Sequence, residues 1–281
     1  MSETLDLTSL PSLESLGPDR FKALLHGGPG TGKTTLAGSI AEVGKTLFVD
    51  LPGEKGLDSL QGAPYAKNIV PFRPSTTQKI DDLYWTLFEG QHDFEAVVVD
   101  GVSAWHTMYV RFYNGLEEAG VRRKQRGKES PKKRDGRQVY GEANDALKDD
   151  MTFWYGLADS SAPRPIHVVM TSQTRERESR EGAEDWRLGP DVSPGALRAV
   201  EAAPNYIGYC AIESVGGDDL SFEEKEETRE DFRYIVRFGP HSSIMTKTHE
   251  SIEAAKRWPD VVGRDGKRLT LPKMMKFLGY I

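Results

Sequence analysis

The segment GGPGTGKT, residues 27–34, constrains the fold of this chain more than any other stretch. It follows an apolar run and precedes the helix-like sequence LAGSIA, so it fits the pattern G-x-x-x-x-G-K-[ST] in the strand–loop–helix context that the pattern requires. Glycines at these positions let successive backbone N–H groups and the helix N-terminus point at phosphate oxygens. Chance would give the pattern in a chain of 281 residues at about the one per cent level. We therefore predict a phosphate-binding loop (P-loop).

The P-loop predicts ATP and Mg²⁺ as ligands. Lys33 supplies a point charge for the phosphates, and the Thr34 hydroxyl supplies a ligand for Mg²⁺. A carboxylate at the end of a neighbouring strand is also needed, and the run AVVVD places Asp100 directly after four apolar residues. We predict that Thr34 and Asp100 hold the metal. The residues predicted to contact the nucleotide are Gly28, Pro29, Gly30, Thr31, Gly32, Lys33, Thr34 and Thr35.

Two further strand ends carry polar side chains suited to hydrolysis. Asp50 and Glu54 follow the apolar run TLFV, and a carboxylate that leaves a strand next to the P-loop strand can deprotonate the water that attacks the γ-phosphate. We predict Glu54 as this base, with Asp50 as the alternative. The run IHVVM ends in TSQ, residues 171–173, whose polar groups could touch the γ-phosphate. This predicts Gln173 as a nucleotide sensor that acts with Lys33 and Glu54.

Apolar runs alternate with helix-like segments along the first 170 residues. We predict strands at about 22–26, 46–50, 68–72, 95–100 and 165–171, and helices at about 33–43, 76–89, 102–118 and 140–158. The alternation predicts an α/β fold, with helices on both faces of a mainly parallel sheet and the ligand at the carboxyl ends of the strands. After residue 190, FRYIVRF predicts a strand with one solvated face, and we expect added antiparallel strands in the C-terminal third. The predicted domains are a leader over residues 1–19 and one ATPase domain over residues 20–281.

Composition argues against several classes of protein. No stretch approaches the roughly 18 consecutive apolar residues of a membrane helix, and the N-terminus lacks a basic start followed by an apolar run, so we expect a cytoplasmic protein. The single cysteine, Cys210, lies in an apolar segment and is interpreted as a small buried hydrophobe. The six histidines show no paired ligand spacing, so no structural metal site is expected. The leader carries leucines that pack either on their own domain or on a neighbour: Leu5, Leu7, Leu10, Leu13 and Leu16.

Charge is concentrated in two blocks of opposite sign. The formal net charge is -6, yet residues 122–137 hold nine Lys or Arg against two acids, and residues 218–231 hold eight acids against two basic residues. The basic block, an inserted loop at about 120–138, predicts contacts with nucleic-acid phosphates. Such contacts do not depend on the base sequence. The alternative is a solvated basic loop. The acidic loop at about 216–231 is interpreted as an exposed hairpin tip or a flexible loop.

Taken in order, these features resemble the RecA recombinase core. Within it, the chain most resembles the compact RecA-like ATPases of bacteriophages that act as single-strand annealing or recombination proteins. The resemblance spans residues 20–280, and the motifs that carry it are GGPGTGKTT, EKGLD, VVVDGVSAW, VYGEANDALKDDM, VVMTSQTRER and RLGPDVSPGALR. One departure is the connection DLPGEKGLD, which is two residues longer than the recombinase pattern.

The resemblance implies a DNA-stimulated ATPase that binds single-stranded DNA in phage recombination or annealing, within the cytoplasm of the bacterial host. It implies Glu54 as the base, Gln173 as the γ-phosphate sensor, and Lys247 as a lysine that reaches a neighbour's nucleotide in a ring or filament. A single-strand-binding protein is a further candidate partner. The DNA contacts implied by the loops after the fourth and fifth strands are Arg122, Arg123, Lys124, Arg126, Lys128, Lys132, Lys133, Arg134, Arg137, Arg175 and Arg177.

Three other classes of function stay open from the sequence. The first is an AAA-type remodelling or loader ATPase, although Gly101 follows Asp100 where that class has Glu, and FRYIVRF indicates strands where that class has a helical lid. The second is a nucleotide kinase that uses the basic block as a phosphate-clamping lid. The third is a nucleotide switch without catalysis. Stimulation of turnover by a small acceptor or by single-stranded DNA separates the kinase from the DNA-binding hypothesis.

Overall fold

The structure is a computed structural model of the chain. The residues that it describes are 19–115, 135–176, 188–214, 232–239, 241–248 and 269–281. The leader, most of the basic block and the acidic loop lie outside these ranges, and so do Arg177 and all the basic residues predicted between positions 122 and 134.

Within the described ranges, eight strands form one sheet at the centre of the fold. The strands are β1 (Lys22–Gly27), β2 (Thr46–Asp50), β3 (Ile69–Phe72), β4 (Ala96–Asp100), β5 (His167–Glu176), β6 (Leu188–Pro190), β7 (Tyr206–Ser214) and β8 (Phe232–Arg237). Their order is β3-β2-β4-β5-β1-β7-β8, and β6 pairs with the end of β5. The pairs from β3 to β7 are parallel, whereas β6 and β8 are antiparallel to their neighbours.

Helices cover both faces of the sheet. They are α1 (Lys33–Gly38), α2 (Thr77–Phe88), α3 (Val102–Tyr113), α4 (Gly136–Gly156), α5 (Pro194–Ala202) and α6 (Leu271–Phe277). On one face α2, α3, α4 and α5 pack in a core that contains Trp105 and Trp154. On the other face α1 and α6 pack with Ile40 and Met275. Because both faces are covered, strands such as β2 and β4 are buried along their whole length, which explains their continuous apolar sequences.

The predicted fold class is confirmed: an α/β fold with a mainly parallel sheet flanked by helices, and antiparallel strands in the C-terminal third. The expected neighbours of the P-loop strand β1 are wrong, because neither the strand that ends at Asp50 nor the strand that ends at Asp100 lies next to it. β5 lies between the P-loop strand β1 and the Asp100 strand β4, and β2 lies beyond β4. Asp100 therefore reaches the P-loop from two strands away, because the carboxyl ends of parallel strands meet at one edge of the sheet.

Several element boundaries differ from the prediction. The first helix ends at Gly38 and continues as a 3-10 helix over Ser39–Glu42. α3 ends at Tyr113, shortly before Gly115 with its positive φ of 69°, whereas the prediction extended to residue 118. α4 begins four residues early because the Asp135 carboxylate caps it by accepting a hydrogen bond from the backbone N–H of Arg137.

The late strand β8 does not have the single solvated face that its alternation predicted. Ile235 is buried, as are Val236 and Phe238, whereas Tyr234 on the predicted apolar face is 48% exposed. Tyr234 lines the cavity beside the P-loop, and a Cβ atom built on Gly32 would lie 3.4 Å from its ring. Among the described residues, no helix is both long and apolar enough to cross a membrane.

The half-buried carboxyl group of Asp150 joins α3 to α4. The Tyr109 hydroxyl donates a hydrogen bond to the Asp150 carboxylate. Burial, with smaller contributions from the nearby Asp81 and Asp149, raises the pKa of Asp150 to about 7 against the opposing effect of this hydrogen bond. An unfolded Asp ionises near pH 3.8. Between these values the folded chain binds one more proton than the unfolded chain, so this contribution to the free energy of unfolding falls as the pH rises.

We expect Asp150→Asn to stabilise the fold relative to the wild type by an amount that grows by roughly 2 kcal/mol from pH 5 to pH 7. Urea unfolding at the two pH values measures the difference. Asp145→Asn, at a side chain 74% exposed, is the matched control and should show the same difference at both pH values. If the difference in free energy of unfolding between Asp150→Asn and the wild type is equal at the two pH values, the raised pKa of Asp150 is contradicted.

Candidate nucleotide-binding site

The P-loop leaves β1 at Gly27 and enters α1 at Lys33, as the sequence predicts. Gly30 and Gly32 have φ values of 74° and 84°, which L side chains rarely adopt, so glycine is required at both positions. At Gly27 a Cβ atom would overlap the carbonyl of Cys210 on β7. The Thr31 hydroxyl donates to the Gly28 carbonyl at 2.9 Å and fixes the turn.

The Lys33 side chain folds back toward the P-loop, so its ammonium group contacts the start of the loop. It donates to the carbonyl oxygens of Gly27 and Gly28 at 2.9 and 2.7 Å. Burial lowers the pKa of Lys33, while the nearby carboxyl groups of Asp100 and Glu54 oppose this shift. A phosphate can replace these carbonyls as the partner of the ammonium, since a buried cation gains most from a full negative charge.

Thr34 and Asp100 meet at the carboxyl edge of the sheet. The Thr34 hydroxyl donates to Asp100 Oδ2 at 3.0 Å, and the Thr171 hydroxyl donates to Asp100 Oδ1. Burial raises the pKa of Asp100, and the two hydroxyl groups oppose that shift. A hydroxyl and a carboxylate are the hard oxygen ligands that Mg²⁺ prefers, so these residues fit the predicted metal, which would neutralise phosphate charge there.

A glycine in the loop after β2 packs directly on this pair. A Cβ atom at Gly56 would overlap Asp100 Oδ2 and approach Thr34 Cγ2 to 2.8 Å. The Gly56 backbone N–H donates to Asp50 Oδ1 at 3.1 Å, and Arg73 Nε donates to Asp50 Oδ2 at 2.9 Å. Asp50, the alternative base, is therefore buried and occupied in anchoring the loop that carries Glu54 and Gly56.

Glu54 and Gln173 are brought together from distant parts of the sequence. Gln173 Nε2 donates to Glu54 Oε2 at 3.2 Å, and the Gln173 backbone N–H donates to Ser103 Oγ at 3.2 Å. At Gly101, directly after Asp100, a Cβ atom would lie 3.2 Å from Glu54 Oε1. The absence of a side chain at Gly101 leaves the room in which the Glu54 carboxylate lies.

The neighbouring polar groups TSQ, residues 171–173, divide between two roles. Thr171 and Ser172 are each only 1% exposed, and their hydroxyl groups bind Asp100 and Ser103 within the protein. Contact of these two hydroxyl groups with the γ-phosphate stays a prediction, and it would require them to leave or share these partners. Gln173 alone of the three directs its side chain to Glu54.

A cavity of about 370 Å³ opens beside the P-loop. This volume lies within the usual range for small-molecule sites. Its lining includes the polar residues Lys33, Thr34, Glu54, Lys55 and Ser59 and the apolar residues Leu36, Cys210, Tyr234, Val236 and Leu269. Cys210 is 2% exposed, and burial raises the pKa of its thiol to about 12, as expected for an unreactive buried cysteine. This mixed lining suits a ligand that carries both charge and apolar surface.

Other predicted site residues lie apart from this cavity. Lys247 forms a bridge with Ile207, and its ammonium donates to the carbonyls of Glu201 and Ala202 at the end of α5, at 3.1 and 2.9 Å. Its role at a neighbour's nucleotide stays a prediction and requires it to leave these carbonyls. Arg175 lies 3.9 Å from Asp191 at the end of β5. Arg137 is exposed in the first turn of α4.

The family comparison agrees with this geometry. A family model described as "AAA domain" matches residues 19–258, which is most of the chain. The chain belongs to this AAA domain family. It is a P-loop protein of the nucleotide-hydrolysing AAA type. No curated protein matches the chain.

Sequence reasoning missed four residues of the site. Gly56 and Gly101 leave space for Asp100 and Glu54, Arg73 anchors Asp50, and Tyr234 covers the P-loop at Gly32. Gly56 gave the one readable signal, because a glycine inside the resemblance motif EKGLD indicates a close approach of the backbone. The other three depend on pairings between segments far apart in the chain.

We expect Gly56→Ala to weaken binding of a fluorescent ATP analogue with Mg²⁺ by at least about tenfold. The added methyl group must displace the Asp100 carboxylate or the Thr34 side chain. Gly141→Ala on α4 is the matched control, since nothing lies within 4 Å of its added methyl group and the helix should gain roughly 0.5 to 1 kcal/mol. Unchanged affinity in Gly56→Ala would contradict the placement of Asp100.

Proposed function

We propose that the protein is an ATP-dependent single-stranded-DNA-binding ATPase that acts in phage DNA recombination or annealing. Thr34 and Asp100 would hold Mg²⁺, and Glu54 is the catalytic base. The observation that carries the catalytic part is the 3.2 Å hydrogen bond between Glu54 and Gln173 beside the buried Asp100. The observation that carries the DNA part is the concentration of nine Lys or Arg residues between positions 122 and 137 of an acidic chain.

In the proposed reaction, the Glu54 carboxylate orients the attacking water and accepts its proton as the water oxygen bonds to the γ-phosphorus. The bond from the γ-phosphorus to the β,γ-bridging oxygen breaks, and ADP leaves with that oxygen and its negative charge. Lys33 stabilises the charge on the phosphates, and bound Mg²⁺ supplies further neutralisation of that charge. The Gln173 amide has two competing acceptors, the Glu54 carboxylate and a γ-phosphate oxygen. When ATP is present, the Gln173 amide would bind the γ-phosphate oxygen and release Glu54. When ATP is absent, the amide would stay bound to the Glu54 carboxylate.

A continuous set of contacts leads from Gln173 toward the predicted DNA-contacting loop. The Asp191 backbone N–H donates to the Gln173 carbonyl at 2.7 Å, and the Asp191 carboxylate faces Arg175. β6 pairs with β5 from Thr174 to Glu176. A shift of Gln173 toward a γ-phosphate would therefore move the strand ends that flank residues 177–187. This supports ATP as a switch for DNA binding.

The remaining parts of the proposal follow the resemblance to the RecA core. Residues 20–281 form one domain, and the copies assemble as a ring or filament in which Lys247 reaches a neighbour's nucleotide. Lys and Arg of the basic block neutralise DNA phosphates without reading sequence. The setting is the cytoplasm of a bacterial host, where a single-strand-binding protein is a candidate partner.

A remodelling or loader ATPase is the second candidate, and the AAA domain match favours it. The Glu that this class has after Asp100 is replaced here by Gly101, and Glu54 approaches the same point from the loop after β2. Both candidates therefore use the same hydrolytic groups. They differ in what stimulates turnover, which is single-stranded DNA in the first and a protein in the second.

We expect Glu54→Gln to lower the rate of ATP hydrolysis on the order of 100-fold to 10,000-fold while nucleotide affinity stays near the wild-type value. Asp50→Asn should instead lower the free energy of unfolding by about 1 to 3 kcal/mol, because it weakens the contacts with Arg73 and Gly56. Steady-state turnover and thermal unfolding measure the two effects. A larger loss of turnover in a folded Asp50→Asn would reverse the assignment of the base.

The DNA-binding part is tested by replacing six residues of the basic block with Ala: Arg122, Arg123, Lys124, Lys132, Lys133 and Arg134. We expect ATP to strengthen single-stranded-DNA binding of the wild type. In the variant, affinity should fall, and the slope of log affinity against log salt should fall by about 0.7 for each DNA phosphate that is no longer neutralised. Fluorescence anisotropy across a salt series and ATP turnover measure these effects.

Lys67→Ala, Lys79→Ala and Lys276→Ala, combined in one protein, remove exposed charges elsewhere on the described surface and should leave the salt slope unchanged. Unchanged nucleotide affinity in the six-residue variant would show that its nucleotide-binding site is intact. If that variant and the wild type bind DNA alike, single-stranded DNA is not the ligand of the basic block. Turnover that rises with a protein and not with DNA would favour the loader.

A further inference from the structure

An aromatic patch lies on the outer surface of α2 and α4, away from the nucleotide cavity. It consists of Trp85, Phe88 and Phe153, which are 56%, 41% and 52% exposed. All three rings contact the buried Tyr84, with centroids 5.3, 5.8 and 5.9 Å from its ring. Single exposed apolar residues are ordinary, but a contiguous cluster of large aromatic side chains marks a binding surface.

The leader meets the described domain at the same edge of the molecule. Asp19 Oδ1 accepts a hydrogen bond from the Ser160 backbone N–H at 2.9 Å, and the Arg20 N–H donates to the Ala158 carbonyl at 2.7 Å. Phe153 lies in the last turn of α4, and Ala158 follows the end of that helix by two residues. At the end of α2, a Cβ atom built on Gly90 would lie 3.4 Å from Cβ of Arg164. The ends of α2 and α4 and the entry of the leader are therefore neighbours.

The chemistry of the leader matches the patch. Residues 1–18 contain five leucines and no Lys or Arg, and four of the leucines recur at every third position from Leu7 to Leu16. Fully extended, 18 residues reach about 60 Å, far more than the separation along α4 requires. Leucine side chains laid on aromatic rings remove apolar surface of both partners from water.

We propose that the leader binds in cis across the aromatic patch, with Leu7, Leu10 and Leu13 against Trp85, Phe88 and Phe153. The inference is independent of the proposed ATPase and DNA-binding function, because it uses neither the P-loop nor the basic block. It assigns the leucines of the leader to their own domain, one of the two alternatives that the sequence left open.

Alkylation of introduced cysteines in the full chain tests this proposal. Phe88→Cys and Phe153→Cys, in separate proteins, each leave two rings of the patch in place. Each is compared with the same protein that also carries Leu7→Ser, Leu10→Ser and Leu13→Ser. We expect the serine substitutions to raise the rate of maleimide reaction at both positions by at least about tenfold, because they release the cover.

Two controls accompany the measurement. The native Cys210 is buried, so its reaction reports any loss of the fold. Phe277→Cys lies on α6, on the opposite face of the sheet, at a side chain that is 61% exposed, and its rate should not change with the serine substitutions. The comparison is made at about 1 µM and about 100 µM protein, because only protection between copies depends on concentration.

Equal rates with and without the serine substitutions, with Cys210 unreactive, would overturn the proposal and assign the patch to another occupant. Protection that disappears on dilution would also overturn it, since the leader would then bind a second copy. Protection at both concentrations that is lost in the serine variants is the result expected for cis binding. ATP turnover plays no part in the readout, so failure of this proposal and failure of the proposed function are distinguishable.

Discussion

The buried carboxylate of Asp100 organises the functional edge of this molecule. It accepts hydrogen bonds from Thr34 on α1 and Thr171 on β5, so one side chain joins the Asp100 strand, the central strand and the helix of the P-loop. Burial of an ionisable carboxyl is costly unless hydrogen-bond donors or a cation compensate it. The two hydroxyl groups supply part of that compensation, and a metal bound with the nucleotide would supply the rest. Glycine at position 56 is a direct consequence, because any Cβ atom there would overlap the carboxylate.

A chain of contacts leads from Asp100 to the groups that we propose for hydrolysis. Asp50 holds the loop after β2 through Gly56 and Arg73, and this loop presents Glu54. Glu54 lies in the space that Gly101 leaves open and binds Gln173, whose backbone is in turn held by Ser103. A Glu directly after Asp100 would bring its carboxylate to this region from the end of β4. Here the carboxylate comes from the loop after β2, so a similar position beside the metal-side acid is reached from a different point of the chain.

Local patterns in the sequence predicted the parts of the site that local chemistry controls. The P-loop is recognisable because its glycines, Lys33 and Thr34 occupy fixed offsets, and Asp100 and Gln173 are recognisable because polar residues end apolar strands. The strand order was not predictable in detail. The place of β5 between β1 and β4 depends on which strands pair, and a single sequence carries no signal for that choice. Arg73, Gly101 and Tyr234 were missed for the same reason, since each acts across a long separation in sequence. The Gly56 contact was readable in principle, and the exposed face of β8 was wrongly assigned because Tyr234 leans over the P-loop.

The central claim is that Glu54 and Gln173 act as one unit at the nucleotide. A double-mutant cycle on ATP hydrolysis tests it most directly, with Glu54→Gln, Gln173→Ala and the combined variant measured against the wild type at saturating ATP and Mg²⁺. If the two side chains act together, the combined variant hydrolyses ATP about as slowly as the slower single variant, because the second change removes nothing further. If their effects multiply, the two side chains contribute independently, and the coupling between γ-phosphate sensing and the catalytic base is contradicted.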